Sequence, residues 1–244
     1  MNNQTSLAVE FVGLPGAGKT TVSERVGKRL RADGIQLVMR NEVLEKWHQA
    51  SVYEKLFQLF PARPNHWRIL LSSLIFALQV RPISWWSISK AIKTFSNIKR
   101  NDTVAETEDY QLILLDQGPM QEAWSVMMAG ELSRSKYLKR EITLLADKRP
   151  TVIVYFKLDI DTAISRIQER PTKQNCPFDL MSPIKAQSSL LNYFPYLQKI
   201  VDYARNSGVP VLEIDASSSI DEQSDEIAKW IASQVGMTGK LQTA

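Results

Sequence analysis

Residues 13–20 read G-L-P-G-A-G-K-T, and they constrain the chain because they stand between strand formers and a helix-like segment. Leu7, Val9, Phe11 and Val12 precede them as a short apolar strand, while Val22, Val26 and Leu30 follow at helical spacing until Asp33-Gly34 closes the element. The expected unit is therefore a strand, a tight loop and a helix N-terminus. Gly13, Gly16 and Gly18 permit turn conformations that a β-carbon would forbid, so that successive N–H groups point at one phosphate chain lying at the positive end of a helix dipole. Pro15 and Ala17 complete the loop, Lys19 adds a mobile cation for the β- and γ-phosphates, Thr20 places a hydroxyl on the bridging magnesium, and Thr21 extends the contact. A glycine turn before an ordinary helix is the structural alternative.

A chain of 244 residues buries a full core, and an α/β unit of this length is expected to be one domain, 1–244, without an internal repeat. The lone Cys176 excludes an intrachain disulfide, and residues 1–6 lack the basic and apolar regions of a signal peptide, so the default location is cytoplasmic. The net charge of +4 is mild, but its distribution is uneven. From Pro61 to Asn101 no Asp or Glu occurs, while Arg63, Arg68, Arg81, Lys90, Lys93, Lys99 and Arg100 stand among Trp67, Trp85 and Trp86. This 63–100 segment suits an acidic substrate, nucleic acid or weak contact with an anionic membrane, and it also suits a helical pair with an apolar face on the core and a solvated basic face.

Four further apolar runs at 35–40, 111–116, 151–157 and 209–214 alternate with helical patterns. That alternation predicts a five-stranded parallel sheet with helices on both faces. The stretch from 42 to about 110 exceeds one crossover and is expected to hold two or three helices, broken near Pro61-Pro64 and at Pro82, as an insertion on the acceptor side. Met120, Trp124, Met127, Leu132 and Leu138 suggest helix between 119 and 145. A last helix is expected over 220–235, with a loose tail from Gly236.

Asp116 ends the run L-I-L-L-D, a pattern in which a buried strand delivers a carboxylate to the mouth of the sheet, where it binds magnesium or caps the next helix. Arg166 and Arg170 lie four apart on the helix after the 151–157 strand and project from one face. Gln117 follows Asp116, so the Asp-Glu pair of many ATP-driven motors is missing, and no N-K-x-D guanine-reading motif occurs. Two histidines and one cysteine supply no zinc cluster, and no nucleic-acid partner is expected.

These landmarks resemble the P-loop nucleoside and nucleotide kinases, in particular thymidylate kinases and deoxynucleoside kinases. G-L-P-G-A-G-K-T at 13–20, N-E-V-L-E-K-W at 41–47, L-L-D-Q-G at 114–118 and the stretch 159–170 match in order. The resemblance implies ATP and Mg2+ as cofactors, a lid over 166–180 whose Arg166 and Arg170 close on the transferring phosphoryl group, and Lys173 as a further cation. It implies Glu42 as acceptor of the attacking hydroxyl's proton and Trp47 as a wall of the base pocket, although a carboxylate in a first helical turn after an Asn41 cap is also what helix stability selects. Val43 stands where that family has proline, and Asp116-Gln117-Gly118 lacks its acceptor-holding arginine. The implied reaction is phosphoryl transfer from ATP to a small-molecule acceptor, first a nucleoside or nucleoside monophosphate. The departures leave open a sugar, an antibiotic or a lipid-linked acceptor, or a regulatory ATPase without one, and a homodimer is compatible with all of these.

Overall fold

The computed structural model describes residues 6–49, 64–83, 85–107, 110–128, 131–132, 135–146, 150–170 and 177–241. Its centre is a five-stranded sheet of β1 (Leu7–Gly13), β2 (Leu37–Met39), β4 (Leu112–Leu115), β6 (Thr151–Lys157) and β7 (Val211–Asp215), in the spatial order β2-β4-β1-β6-β7. Every pairing is parallel, with Val9 opposite Leu114 and Val152 in the registers that flank β1. All seven residues of β1 are buried, as expected of a strand covered on both faces, and Glu10 is its one charged member. The chain fills one side of β1 with β2 and β4 and the other with β6 and β7. The crevice at the carboxyl ends of the strands where that direction reverses is where ligands enter such sheets.

Helices α1 (Lys19–Ala32), α2 (Arg40–Gln49), α3 (Pro64–Gln79), α4 (Trp85–Thr107), α5 (Pro119–Met127), α6 (Ser135–Ala146), α7 (Ile160–Gln168), α8 (Pro183–Asn206) and α9 (Ile220–Leu241) flank the sheet, with a 3-10 turn at Pro177–Leu180. The five-stranded α/β architecture read from the apolar runs is the one observed, and α2, α3 and α4 fill the long interval between β2 and β4. Two readings are corrected. The 119–145 stretch splits into α5 and α6 around a two-residue strand β5 (Glu131–Leu132) that pairs antiparallel with β3 (Val80–Arg81), so Leu132 is in a strand. Strands this short have no periodicity to read, and their pairing is fixed by distant chain. The last helix passes through Gly236 to Leu241, because glycine keeps its backbone donor and costs only about 1 kcal/mol in a helix interior.

Helices α3 and α4 also depart from the simple amphipathic pair. Ser72 and Ser73 are buried and donate to the two oxygens of the buried Glu141 carboxylate on α6, at 2.7 and 2.6 Å. Burial raises the Glu141 pKa, and the two hydroxyls oppose that rise. Lys99 and Arg100 are buried as well, whereas Trp67, Leu71, Leu78, Trp85 and Ile92 are exposed.

Candidate active site

β1 delivers the 13–20 loop to the crevice. Gly16 takes φ 88°, and a β-carbon there would lie 2.8 Å from the Ala163 carbonyl oxygen of α7, so both backbone angle and space demand glycine. The result is a cradle of loop amides directly before α1, which Gly18 begins in a left-handed conformation. Lys19 folds over the loop and donates through Nζ to the carbonyl oxygens of Gly13, at 2.8 Å, and Leu14, at 2.9 Å. Thr20, next on the helix, donates its hydroxyl to Asp116 Oδ2 at 2.9 Å. The motif hydroxyl and the carboxylate beyond β4 therefore meet although they lie far apart in sequence.

Arg40 is a member that sequence reasoning missed. Its guanidinium is 3.4 Å from Asp116 Oδ1, with both side chains largely buried. The available signal was positional: Arg40 follows β2 as Asp116 follows β4, and carboxyl ends of adjacent parallel strands open on one mouth.

On the far wall α5 is locked to β1. Gln121 accepts from the Gly13 N–H at 3.0 Å through Oε1, and its own N–H donates to Glu10 Oε1 at 2.8 Å. Gly118 allows that approach, because a β-carbon there would overlap the Glu10 carboxyl. Burial pushes Glu10 up to about 8, against the lowering effect of the Gln121 and Met120 N–H groups, and the neighbouring Glu122 adds to the rise. Glu122, also buried, accepts from Asn97 Nδ2 at 3.1 Å, and Asn97 Oδ1 accepts from Arg100 at 2.6 Å. Burial lowers Arg100 to about 10, with the charge of Arg40 acting in the same direction.

The loop, α4, α5 and α7 enclose a cleft of about 520 Å³. Lys19, Thr20 and Thr21 line its loop side, Lys90 and Lys93 its α4 side, and Trp124, Met128 and Phe178 its apolar wall; Arg166 on α7 and Arg170 line another side, although α7 ends at Gln168 and Arg170 lies beyond the helix expected to carry both. Arg166 donates to the carbonyl oxygens of Ala216, at 3.0 Å, and Gly16, at 3.4 Å, tying α7 to the loop and to the turn after β7. Arg170 lies 3.6 Å from Asp179 in the 3-10 turn. A groove of about 600 Å³ lies elsewhere, beside β7, where Lys157, Glu213, Arg205 and Asp202 pair among themselves. It holds none of the converging groups.

Of the sequence-proposed residues, Gly13, Pro15, Gly16, Ala17, Gly18, Lys19, Thr20 and Thr21 form or adjoin the loop, and Asp116, Arg166 and Arg170 gather around it. Glu42 does not join them. Its carboxylate takes both Arg31 contacts, at 2.7 and 2.6 Å, and accepts from the Met39 N–H at 2.9 Å. With α2 beginning at Arg40, Glu42 fills the glutamate half of a capping box on the Met39 N–H, and Asn41 Oδ1, inside the first turn, accepts from the Glu42 N–H at 2.9 Å. Trp47 lies on α2, while Lys173 and Cys176, with the middle of the 166–180 lid at 171–176, fall outside the described residues.

The donor set fits a magnesium nucleotide. The glycine cradle leaves room for phosphate oxygens, and Thr20 and Asp116 offer hard oxygen ligands on one side of it. Among the described residues no three His, Cys, Asp or Glu side chains cluster, so the remaining ligands of such an ion would come from phosphate and water.

No family model and no curated protein matches the sequence. Solved structures do match. Shikimate kinase from Bacteroides thetaiotaomicron aligns over 93% of this chain and 98% of its own with a TM-score of 0.50 at 9% identity. Shikimate kinase from Acinetobacter baumannii in complex with shikimate aligns over 95% and 96%, at 0.48 and 15% identity. Deoxyadenosine kinase from M. mycoides with bound dATP aligns over 92% and 98%, at 0.47 and 15% identity. Identities this low speak to architecture alone, and the first of these alignments, together with the sheet order and the loop, shows that this chain has a P-loop kinase fold.

Proposed function

We propose that the protein is an ATP- and magnesium-dependent phosphotransferase acting on a small-molecule acceptor. The observation that carries this reading is the convergence of Lys19, the Thr20–Asp116 pair and Arg166 and Arg170 on one cleft that retains open space on the α4 side. Magnesium and ATP, when bound, supply the transferable phosphoryl group and part of its charge neutralisation. The loop amides and Lys19 hold the phosphates, and Thr20 and Asp116 hold the metal. Arg166 and Arg170 bring guanidinium groups to the oxygens on which negative charge spreads, a contribution that reaches roughly 10³–10⁵ in rate in related chemistry. Positioning and electrostatics are what such a transfer requires of a protein.

Lys90 and Lys93 support an anionic acceptor, and of the acceptors implied by the resemblance they favour a nucleoside monophosphate over a nucleoside. The missing arginine after Asp116 is then offset by cations from α4. The test is magnesium-dependent ATP consumption against nucleosides, nucleoside monophosphates and phosphorylated sugars, with Lys19→Ala as control. Acceptor-stimulated turnover that vanishes in the variant is expected. ATP binding without stimulation by any acceptor would instead mark a regulatory ATPase.

A further inference from the structure

Helices α3 and α4 carry an exposed apolar surface that their packing does not require. On α3, Trp67, Leu71 and Leu78 are 57%, 58% and 42% exposed, and with half-buried Leu74 they fall at spacings of four, three and four residues, a single stripe. On α4, Trp85 is 79% exposed and Ile92, seven residues on, continues the pattern; Ile83 is exposed in the connection between the helices. The same helices turn Ser72, Ser73, Thr94 and Asn97 inward. This pair is thus partly inverted, with polar groups engaged inside and large apolar groups in solvent, where a monomeric globular surface rarely gathers them.

The surrounding charge selects the occupant. Arg68, Arg81 and Lys93 are exposed beside the stripe, and no Asp or Glu occurs from 61 to 101. Set against Glu131, the register partner of Arg81, the three cations leave these four positions net positive. A second copy packed about a two-fold axis would bring the same net positive patch onto itself. A lipid surface with anionic headgroups complements them, takes the tryptophans at the interface and the leucines and isoleucines below it. Among the described residues no helix is long and apolar enough to cross a membrane, so the hairpin would lie in the interface.

We propose that the α3–α4 hairpin docks this protein on an anionic phospholipid surface through Trp67, Leu71, Leu78, Trp85 and Ile92, with Arg68 and Arg81 on the headgroups. Lys93, which lines the cleft, follows Ile92 directly, and Lys90, which also lines it, lies 5.2 Å from the Trp86 ring centroid. Docking therefore brings the acceptor side of the cleft beside the headgroup layer, a place suited to an acceptor carrying a lipid anchor.

The experiment is flotation of the full chain with phosphatidylcholine vesicles and with phosphatidylcholine–phosphatidylglycerol vesicles, read together with tryptophan emission. Binding and a blue shift are expected only where phosphatidylglycerol is present. Leu71→Ser/Trp85→Ser should weaken binding by at least tenfold, and Arg68→Gln/Arg81→Gln by roughly fivefold per charge at about 1 kcal/mol each. These positions are exposed, so circular dichroism and the thermal midpoint verify folding of both variants. Equal behaviour on the two vesicle types, anionic binding unchanged by Leu71→Ser/Trp85→Ser, or a concentration-dependent dimer that those substitutions dissociate would each overturn the proposal. Docking needs no nucleotide and should persist in Lys19→Ala, so its failure and failure of the kinase reading are separable.

Discussion

At the scale of single residues, a carboxylate's surroundings decide its use. Asp116, Glu122, Glu10 and Glu42 all stand near the ends or faces of the central strands, yet only Asp116 meets the loop hydroxyl. Glu10 is the most perturbed. Its folded pKa, about 8, lies above the unfolded value of 4.5, so between those values the native state holds a proton that the unfolded state has released. The Glu10 contribution to stability is full below about 4.5 and is lost as pH rises through about 8. Glu10→Gln retains an oxygen for the Gln121 N–H without an ionisable group. The variant should therefore gain on the wild type across that window, by an amount on the order of a few kcal/mol at its upper end. Urea unfolding of both proteins at a series of pH values measures the difference, and parallel profiles would refute the account. The glutamate in the first strand was visible to sequence reading, but the helix terminus that receives it was not.

At the scale of elements, α2 and α4 stand differently toward the cleft. The spacing of Glu42 and Trp47 pointed to α2 for acceptor chemistry, whereas the Glu42 carboxylate closes the start of its own helix and pairs with Arg31 at the end of α1. Glu42→Ala should consequently leave kcat within about twofold and lower unfolding free energy by roughly 0.5–2 kcal/mol, the range of a lost cap. A kcat loss beyond a hundredfold with unchanged stability would return Glu42 to the reaction. Helix α4 instead reaches the cleft with Lys90 and Lys93. Lys93→Gln should raise KM for an anionic acceptor about fivefold while kcat holds, since it removes binding common to ground and transition states. A neutral acceptor should show no such change. The basic stretch was legible as a charge run. Its division into cleft-lining, buried and surface cations was not, because helical phase within it is fixed by packing against α5 and α6.

At the scale of the whole molecule, the parallel sheet gathers groups from the ends of β1, β2 and β4 and from α4, α5 and α7 at one mouth. Ligand binding there should stabilise the native state as a unit. Magnesium with ATP at about 100 times Kd should add roughly 2.7 kcal/mol. For a chain of this size that raises Tm by about 2–4 °C per kcal/mol, and differential scanning fluorimetry should find the shift absent in Lys19→Ala. The sequence by itself determined the strand-loop-helix unit, the parallel α/β class and the glycine loop at 13–20 between strand and helix. These follow from local rules: glycine tolerance, apolar runs of strand length and helical periodicity act over a few neighbouring positions. Only the tertiary structure decided that Arg40 joins Asp116, that Glu10 is buried under a helix N-terminus, that Glu42 faces Arg31, and that α3 and α4 keep tryptophan and leucine in solvent while burying serine. Those outcomes depend on which distant segments share a wall, and the side chains that meet there carry no sequence mark of one another.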